Sequence, residues 1–338
     1  MGGIAHARIF LRTICLSAAL LLTAADARAH IFGRDDRVEA NADGLRHLQT
    51  QSLVGTKITE QGPQITISGI HTTGPVRDAG PGLAHAIGIV QPLEPVPMAN
   101  GHLSAPEMQS TGFLISPCHV ATAFHAVFGN AAVRNGMSAV GRPLDDHRVV
   151  FRLQTPKGEE VATGKPVAWG NYLGIGFGDA AIVELDRCLG ADPSIGYLYV
   201  APLYSLWERA VDSLPLATIG YYEDRPLDIK YLDPDCRVRL RPSGEYRHDC
   251  ANLRGASGGP IFYMYGNMPI VVAIHSGQDG DGVTWPIPWT GEHYNVADQS
   301  LSLLVTQVPA VQTAQALLDH RLQRLREAQE PVGERASH

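Results

Sequence analysis

The chain has 338 residues, 44% of them hydrophobic, with 35 glycines, 23 prolines and a formal net charge of −7. That length holds one large domain or two small ones around a sizeable core. The acidic balance leaves no basic footprint for nucleic acid, and the abundance of Gly and Pro favours short strands joined by many turns.

The N-terminus carries an address. Arg8 and Arg12 precede an apolar run from Ile14 to Leu22, and Ala27-Arg28-Ala29 offers small residues at a cleavage site. These three regions predict a signal peptide over 1–29, removed at about Ala29. The apolar run is far short of the roughly 20 residues a membrane span needs, so no stable anchor is expected. The expected location is secreted or periplasmic.

Export changes the meaning of the cysteines. Cys15 leaves with the signal, and Cys118, Cys188, Cys236 and Cys250 remain. Four cysteines outside the cytoplasm suggest two disulfides, with three pairings to choose from. The short spacing favours Cys236 with Cys250, a loop worth on the order of 3 kcal/mol in a chain-entropy model. Cys118 and Cys188 are then left for each other. No Cys-x-x-Cys or His-x-x-x-His pair points to zinc, and no metal or cofactor is expected.

Residues 30–81 are mixed and polar, with a short strand around Ile65 and Ile67. They fit a pro-segment, an arm wrapped on the domain, or its first strands. Ala84 to Val90 reads as a strand ending at Pro92, and Met98 to Gln109 as a polar loop. Gly112 to Ser116 and Cys118 to Ala123 are two more strands. Phe124 to Phe128 follows as one helical turn closed by Gly129-Asn130. Further strands are expected at Arg148–Leu153 and Val161–Trp169.

Tyr172 to Gly178 is glycine-rich but lacks the helix that a dinucleotide loop requires. In Asp179-Ala180-Ala181-Ile182-Val183-Glu184-Leu185, alternation puts Ala181, Val183 and Leu185 on one strand face. Asp179 therefore stands at the mouth of a strand. Strands are also expected at Leu216–Tyr222, Arg237–Arg241, Pro260–Tyr265 and Pro269–His275. This spacing argues for an all-β sandwich or barrel. Val311, Ala314, Leu318, Leu322 and Leu325 recur at helical spacing and predict a C-terminal amphipathic helix over about 309–329.

The chemistry centres on Asn252-Leu253-Arg254-Gly255-Ala256-Ser257-Gly258-Gly259-Pro260, one hydroxyl among three glycines. Glycines let backbone N–H groups converge where negative charge develops on a substrate. A nucleophilic serine needs a base, and histidine titrates in the useful range. The base needs a carboxylate to fix its tautomer. His125, Asp179 and Ser257 supply these groups in chain order. The N–H groups of Gly255 and Ser257 would form the oxyanion hole.

These stretches resemble the chymotrypsin-like (trypsin family) serine peptidases. Thr122-Ala123-Phe124-His125 looks like the segment around the family's base. Gly178 to Leu185 looks like its aspartate strand, and Gly255 to Pro260 like its nucleophile loop. Ile274-His275-Ser276-Gly277 is similar to the strand that lines the specificity pocket. The resemblance covers roughly Ala84 to Thr306 and implies two antiparallel six-stranded β-barrels with a cleft between them. His125 and Asp179 would come from the first barrel, Ser257 from the second. It implies a monomeric endopeptidase acting on peptide or protein substrates, with Ser276 supporting the triad carboxylate.

The sequence also departs from the family pattern. Phe124 replaces a small residue beside the base and would reshape the adjoining pocket. Ala256 stands where animal digestive members carry an aspartate that pairs with a newly cut amino terminus, so that switch is unavailable. The style is closer to bacterial glutamate-specific members, which place a histidine at the position of His275. An acidic preference at the cleaved residue follows as an expectation, with Arg254, His275, Ser276 and Gly277 as substrate-binding residues.

The expected organisation is a signal over 1–29, an arm or pro-segment over 30–81 and a peptidase domain over 82–330. Within it, the first barrel covers about 82–190, the second about 191–308 and the helix about 309–329. Rival groups are His119, read as mid-strand, and Asp145 and Asp146, read as a solvated pair. His248 and His293 are read as surface residues. Gly255 to Gly259 also fits the Gly-x-Ser-x-Gly elbow of α/β-hydrolase esterases, but that elbow needs an apolar strand before it and a helix after. A secreted barrel that only binds a partner is the non-enzymatic alternative.

Overall fold

The computed structural model of the chain describes residues 37–39, 53–59, 62–68, 83–95, 109–129, 143–155, 157–170, 178–201, 216–226, 228–236, 238–240, 246–250, 252, 254–265, 268–278 and 295–329. The expected signal peptide, the polar loop 98–108, the glycine-rich stretch 171–177 and His293 lie outside the described residues.

A short strand β1 (Val38–Glu39) comes first, then a hairpin of β2 (Leu53–Thr59) and β3 (Gly62–Ser68). Six strands next close a barrel: β4 (Ile87–Pro92), β5 (Ser110–Ser116), β6 (His119–Thr122), β7 (Val149–Thr155), β8 (Gly158–Trp169) and β9 (Ala181–Leu185). Their order around the ring is β4-β5-β6-β9-β8-β7, and every pairing is antiparallel. Helix α1 (Phe124–Phe128) follows β6. Burial alternates along β8 from Val161 to Ala168, as a strand with one wet face requires. β5 is instead buried along its whole length, because other elements cover its outer face.

The second half supplies β10 (Tyr199–Val200), β11 (Leu216–Gly220), β12 (Tyr231–Cys236), β13 (Val238–Leu240), β14 (Tyr246–His248), β15 (Pro260–Tyr265), β16 (Met268–Gln278) and β17 (Asn295–Asp298). The sheet runs β1-β12-β11-β15-β16-β17-β14-β13, with β10 added parallel to β16. β12 and β13, which stand near the two ends of this path, are separated by one residue in sequence. The sheet therefore curls back towards its start as a second, half-closed barrel built from β11, β12–β13, β14, β15, β16 and β17. This is the two-barrel antiparallel architecture expected. A doubly wound α/β sheet, which the esterase reading needs, is absent among the described residues.

Six strands escaped the sequence, β1, β2, β10, β12, β14 and β17, and the last three carry polar residues at buried positions. β12 carries Asp233 and Pro234, β14 has three residues, and β17 begins with Asn295 and ends with Asp298. Their polar members point inward: Asp233, His248, Asn295 and Asp298 are all buried. A strand whose buried positions are polar shows no apolar alternation.

Two disulfides staple the barrels, Cys118 to Cys188 and Cys236 to Cys250. Helices α2 (Leu301–Val305) and α3 (Pro309–Gln329) end the described chain. α3 matches its expected span. It packs Leu318, Leu322 and Leu325 on the cluster around Tyr199, Leu216 and Ile261. Its buried Gln315 donates to the carbonyls of Ile115 and Leu198 and accepts the N–H of Val200. No helix among the described residues is long and apolar enough to cross a membrane.

Candidate active site

His125 sits in the single turn of α1, all five residues of which are buried. Gly129 ends the turn at φ 82, a backbone that favours glycine, and its N–H donates to the His125 carbonyl. Asp179 precedes β9 and is fully buried. Its carboxylate takes two bonds from His125: Nδ1 lies 2.8 Å from Oδ2, and the backbone N–H donates to Oδ1 at 3.0 Å. Ser276 donates its hydroxyl to the same Oδ2 at 2.5 Å. Burial would press the imidazolium of His125 down, but the charge and hydrogen bond of Asp179 outweigh it and hold it above the ordinary value.

The loop around Ser257 is held by its carbonyls. That of Arg254 accepts the N–H of Glu223 at 2.9 Å, and that of Ala256 accepts the N–H of Gly259 at 2.8 Å. Those of Gly255 and Ser257 are bonded by Thr111. A trans peptide points its N–H opposite to its carbonyl. Fixing the Arg254 and Ala256 carbonyls therefore turns the N–H groups of Gly255 and Ser257 the other way, and neither donates to a backbone carbonyl among the described residues.

Gly255 and Gly258 have φ of 93 and 83, and both sit in close quarters. A Cβ on Gly258 would overlap the Thr111 carbonyl and the Thr122 hydroxyl, and would stand 2.6 Å from the Ala123 nitrogen. The loop carrying Ser257 thus lies directly against the segment that leads into His125.

The remaining expected residues divide. Gly258 donates to the His275 carbonyl at 2.7 Å, and His275 donates back to Gly259 at 2.8 Å, which joins β16 to the loop around Ser257. His275 is not at a strand end but inside β16, 2% exposed, with Nδ1 3.1 Å from His248 Nε2. Burial first, then the charges of His248 and His125, push its pKa well below the ordinary histidine value. His248, expected at the surface, is completely buried in β14.

Gly277 lies on the same strand, opposite Val296. Arg254 is exposed, 3.9 Å from Glu223. Phe124, next to the base, is buried, its ring 4.5 Å from that of Phe128 in the core.

The rivals are placed elsewhere. His119 bonds the Ser116 hydroxyl at 2.7 Å within the first barrel. Asp145 and Asp146 are exposed in a single 3-10 turn. No group of three or more His, Cys, Asp or Glu among the described residues is placed to hold a metal ion.

Two residues at the site carried no signal in the sequence. Thr111 ties the first barrel to the loop around Ser257. Asp298, at the end of β17, accepts the backbone N–H of Asp179 at 2.5 Å and that of Ser300 at 2.5 Å. Burial and the neighbouring Asp179 charge raise its pKa, against the bonds from Ser300 and the Asp179 N–H.

No family model matches the sequence, and no curated protein does. Among solved structures the chain is similar to a Glu endopeptidase, with a TM-score of 0.49, 12% identity and coverage of 85% of this chain and 100% of that one. It is also similar to a thermostable serine protease from an extremophilic microorganism, with a TM-score of 0.41, 14% identity and coverage of 64% of this chain and 91% of that one.

Proposed function

We propose that this protein is a secreted serine endopeptidase. The observation that carries the proposal is the bond from His125 Nδ1 to the buried Asp179 carboxylate, with the Ser257 loop packed against the same segment. Ser257 attacks the scissile carbonyl. His125 takes the hydroxyl proton and returns it to the leaving amine, and Asp179 holds the tautomer and stabilises the imidazolium. The N–H groups of Gly255 and Ser257 receive the oxyanion. An acyl-enzyme forms on Ser257 and is hydrolysed by water.

An acidic side chain at the cleaved residue is the preferred substrate feature. In the tautomer where His248 Nε2–H donates to His275 Nδ1, the His275 ring keeps Nε2–H as its own donor, and the opposite tautomer would make it an acceptor. A substrate carboxylate is the acceptor suited to that buried donor. Gly277 and Ser276 line the same strand. The two disulfides fit an oxidising compartment, in keeping with the export signal over 1–29. The working unit is a monomer whose peptidase domain spans 82–330.

Covalent labelling by a fluorophosphonate tests the reading. Wild type should react, and Ser257→Ala should not. Folded, mature protein that resists the reagent would leave only a binding role. A peptide panel varied at the cleaved residue tests the preference: cleavage after Glu should exceed cleavage after Arg or Phe.

A further inference from the structure

The stretch from Gly255 to Gly259 holds three glycines and no charged side chain, so its own preferences do not fix its shape. Part of the shape is imposed from outside, by one residue of the other barrel. Thr111, fully buried in β5, uses every polar group it has. Its N–H donates to the Ser257 carbonyl at 2.8 Å. Its hydroxyl donates to the Gly255 carbonyl at 2.8 Å and accepts the N–H of Tyr221 at 3.1 Å. Its carbonyl accepts the hydroxyl of Thr122 at 2.8 Å, three residues before His125.

Thr111 thus grips the two carbonyls on either side of the Ala256–Ser257 peptide. Rotating the Gly255–Ala256 peptide would break the hydroxyl bond and swing the neighbouring N–H groups away. The Tyr221 carbonyl limits movement on the far side, since a Cβ on Gly255 would stand 2.8 Å from it. The same residue connects, through Thr122, to the segment that carries the base.

We propose that Thr111 is a positioning residue for the oxyanion hole: its hydroxyl fixes the Gly255–Ala256 peptide, which links the two peptides carrying the Gly255 and Ser257 N–H groups, and so keeps those two groups aimed at one point. The inference rests on the peptidase reading above. It assigns to a first-barrel hydroxyl the ordering of a second-barrel loop that lacks any charged anchor of its own.

Thr111→Val keeps the shape and the backbone bonds but removes the hydroxyl. Thr111→Ser keeps the hydroxyl and loses a methyl group. The full-length protein and both variants are compared by saturable fluorophosphonate labelling, which separates the limiting inactivation rate from the concentration for half saturation, and by thermal melting. The valine variant should lose roughly tenfold to a hundredfold in limiting rate, with the half-saturating concentration little changed. The serine variant should recover wild-type rate within a few-fold.

A folded valine variant that labels at wild-type rate overturns the inference. So does a serine variant as slow as the valine one. If Thr111→Val does not fold, Thr111→Ala serves in its place, and failure of both to fold while Thr111→Ser folds would make the hydroxyl a folding element instead. Absence of labelling in wild type would sink the peptidase reading itself, a result distinguishable from all of these.

Discussion

His248 and His275 stand edge to face inside the second barrel, ring centroids 5.2 Å apart, with Nε2 of one 3.1 Å from Nδ1 of the other. Burial holds both rings neutral. It pushes His248 down to about 3, against a bond to the Val296 backbone that raises it, and His275 well below the ordinary value. In the unfolded chain both titrate near 6.5. As pH falls from about 6.5 the unfolded chain binds protons that these folded rings refuse, so stability falls.

Each such proton is worth about 1.4 kcal/mol per pH unit. His248→Gln should flatten the decline by about one proton. Urea unfolding from about pH 7 to about pH 4 measures this, and identical slopes for the two proteins would refute it.

The pair also marks where sequence reasoning stops. The pairing of His125 with Asp179 was legible because the proposed acyl transfer demands a base and a carboxylate at a strand mouth. The apolar strands and α3 were legible from their periods. His248 was not, because three residues of a polar strand carry no pattern. Thr111 was not, because its meaning lies in a carbonyl 144 positions away. Asp298 reaches a backbone N–H 119 positions away. Local spacing reveals groups that chemistry requires, and only packing reveals the groups that hold them.

In the proposed mechanism, the His125–Asp179 bond sets the acid limb of activity. Asp179 outweighs burial and leaves the folded His125 pKa above the ordinary value. Catalysis needs the neutral ring, so the labelling rate should fall as pH drops through a point above about 6.5. The same bond contributes stability that is fully present below the unfolded value and lost as pH rises through the folded one. Asp179→Asn should move the limb downward and cut the rate by on the order of 10⁴. An unmoved limb with a rate within a few-fold of wild type would contradict this pairing.

Gly258 is irreplaceable for two reasons that add. Its φ of 83 strains any other residue, and a Cβ would strike the backbone of Thr111 and Ala123, which cannot yield without moving both barrels. Gly258→Ala should cost about 3 kcal/mol or more and abolish labelling. Gly158 is the control: its φ is 118, yet nothing lies within 4 Å of its Cβ position. Gly158→Ala should cost only about 1–2 kcal/mol and leave labelling intact. Equal melting losses for the two would show that the contact between the barrels does not constrain the loop.

Residues 37–39 are built into the second barrel. β1 pairs with β12 through Val38 and Leu232, and the side chain of Arg37 is 0% exposed. Its guanidinium forms two bonds to Asp224, at 3.0 and 2.8 Å, and lies 4.7 Å from the centre of the Tyr222 ring. Tyr222 in turn donates to Asn252 at 3.0 Å, at the root of the loop around Ser257. Arg37→Ala should therefore destabilise the protein by about 1–3 kcal/mol. Arg37→Lys should restore only part of that, because an ammonium neither forks to a carboxylate nor stacks on a ring. Melting curves decide the matter: an alanine variant as stable as wild type would mean that these residues are loosely applied and their removal harmless.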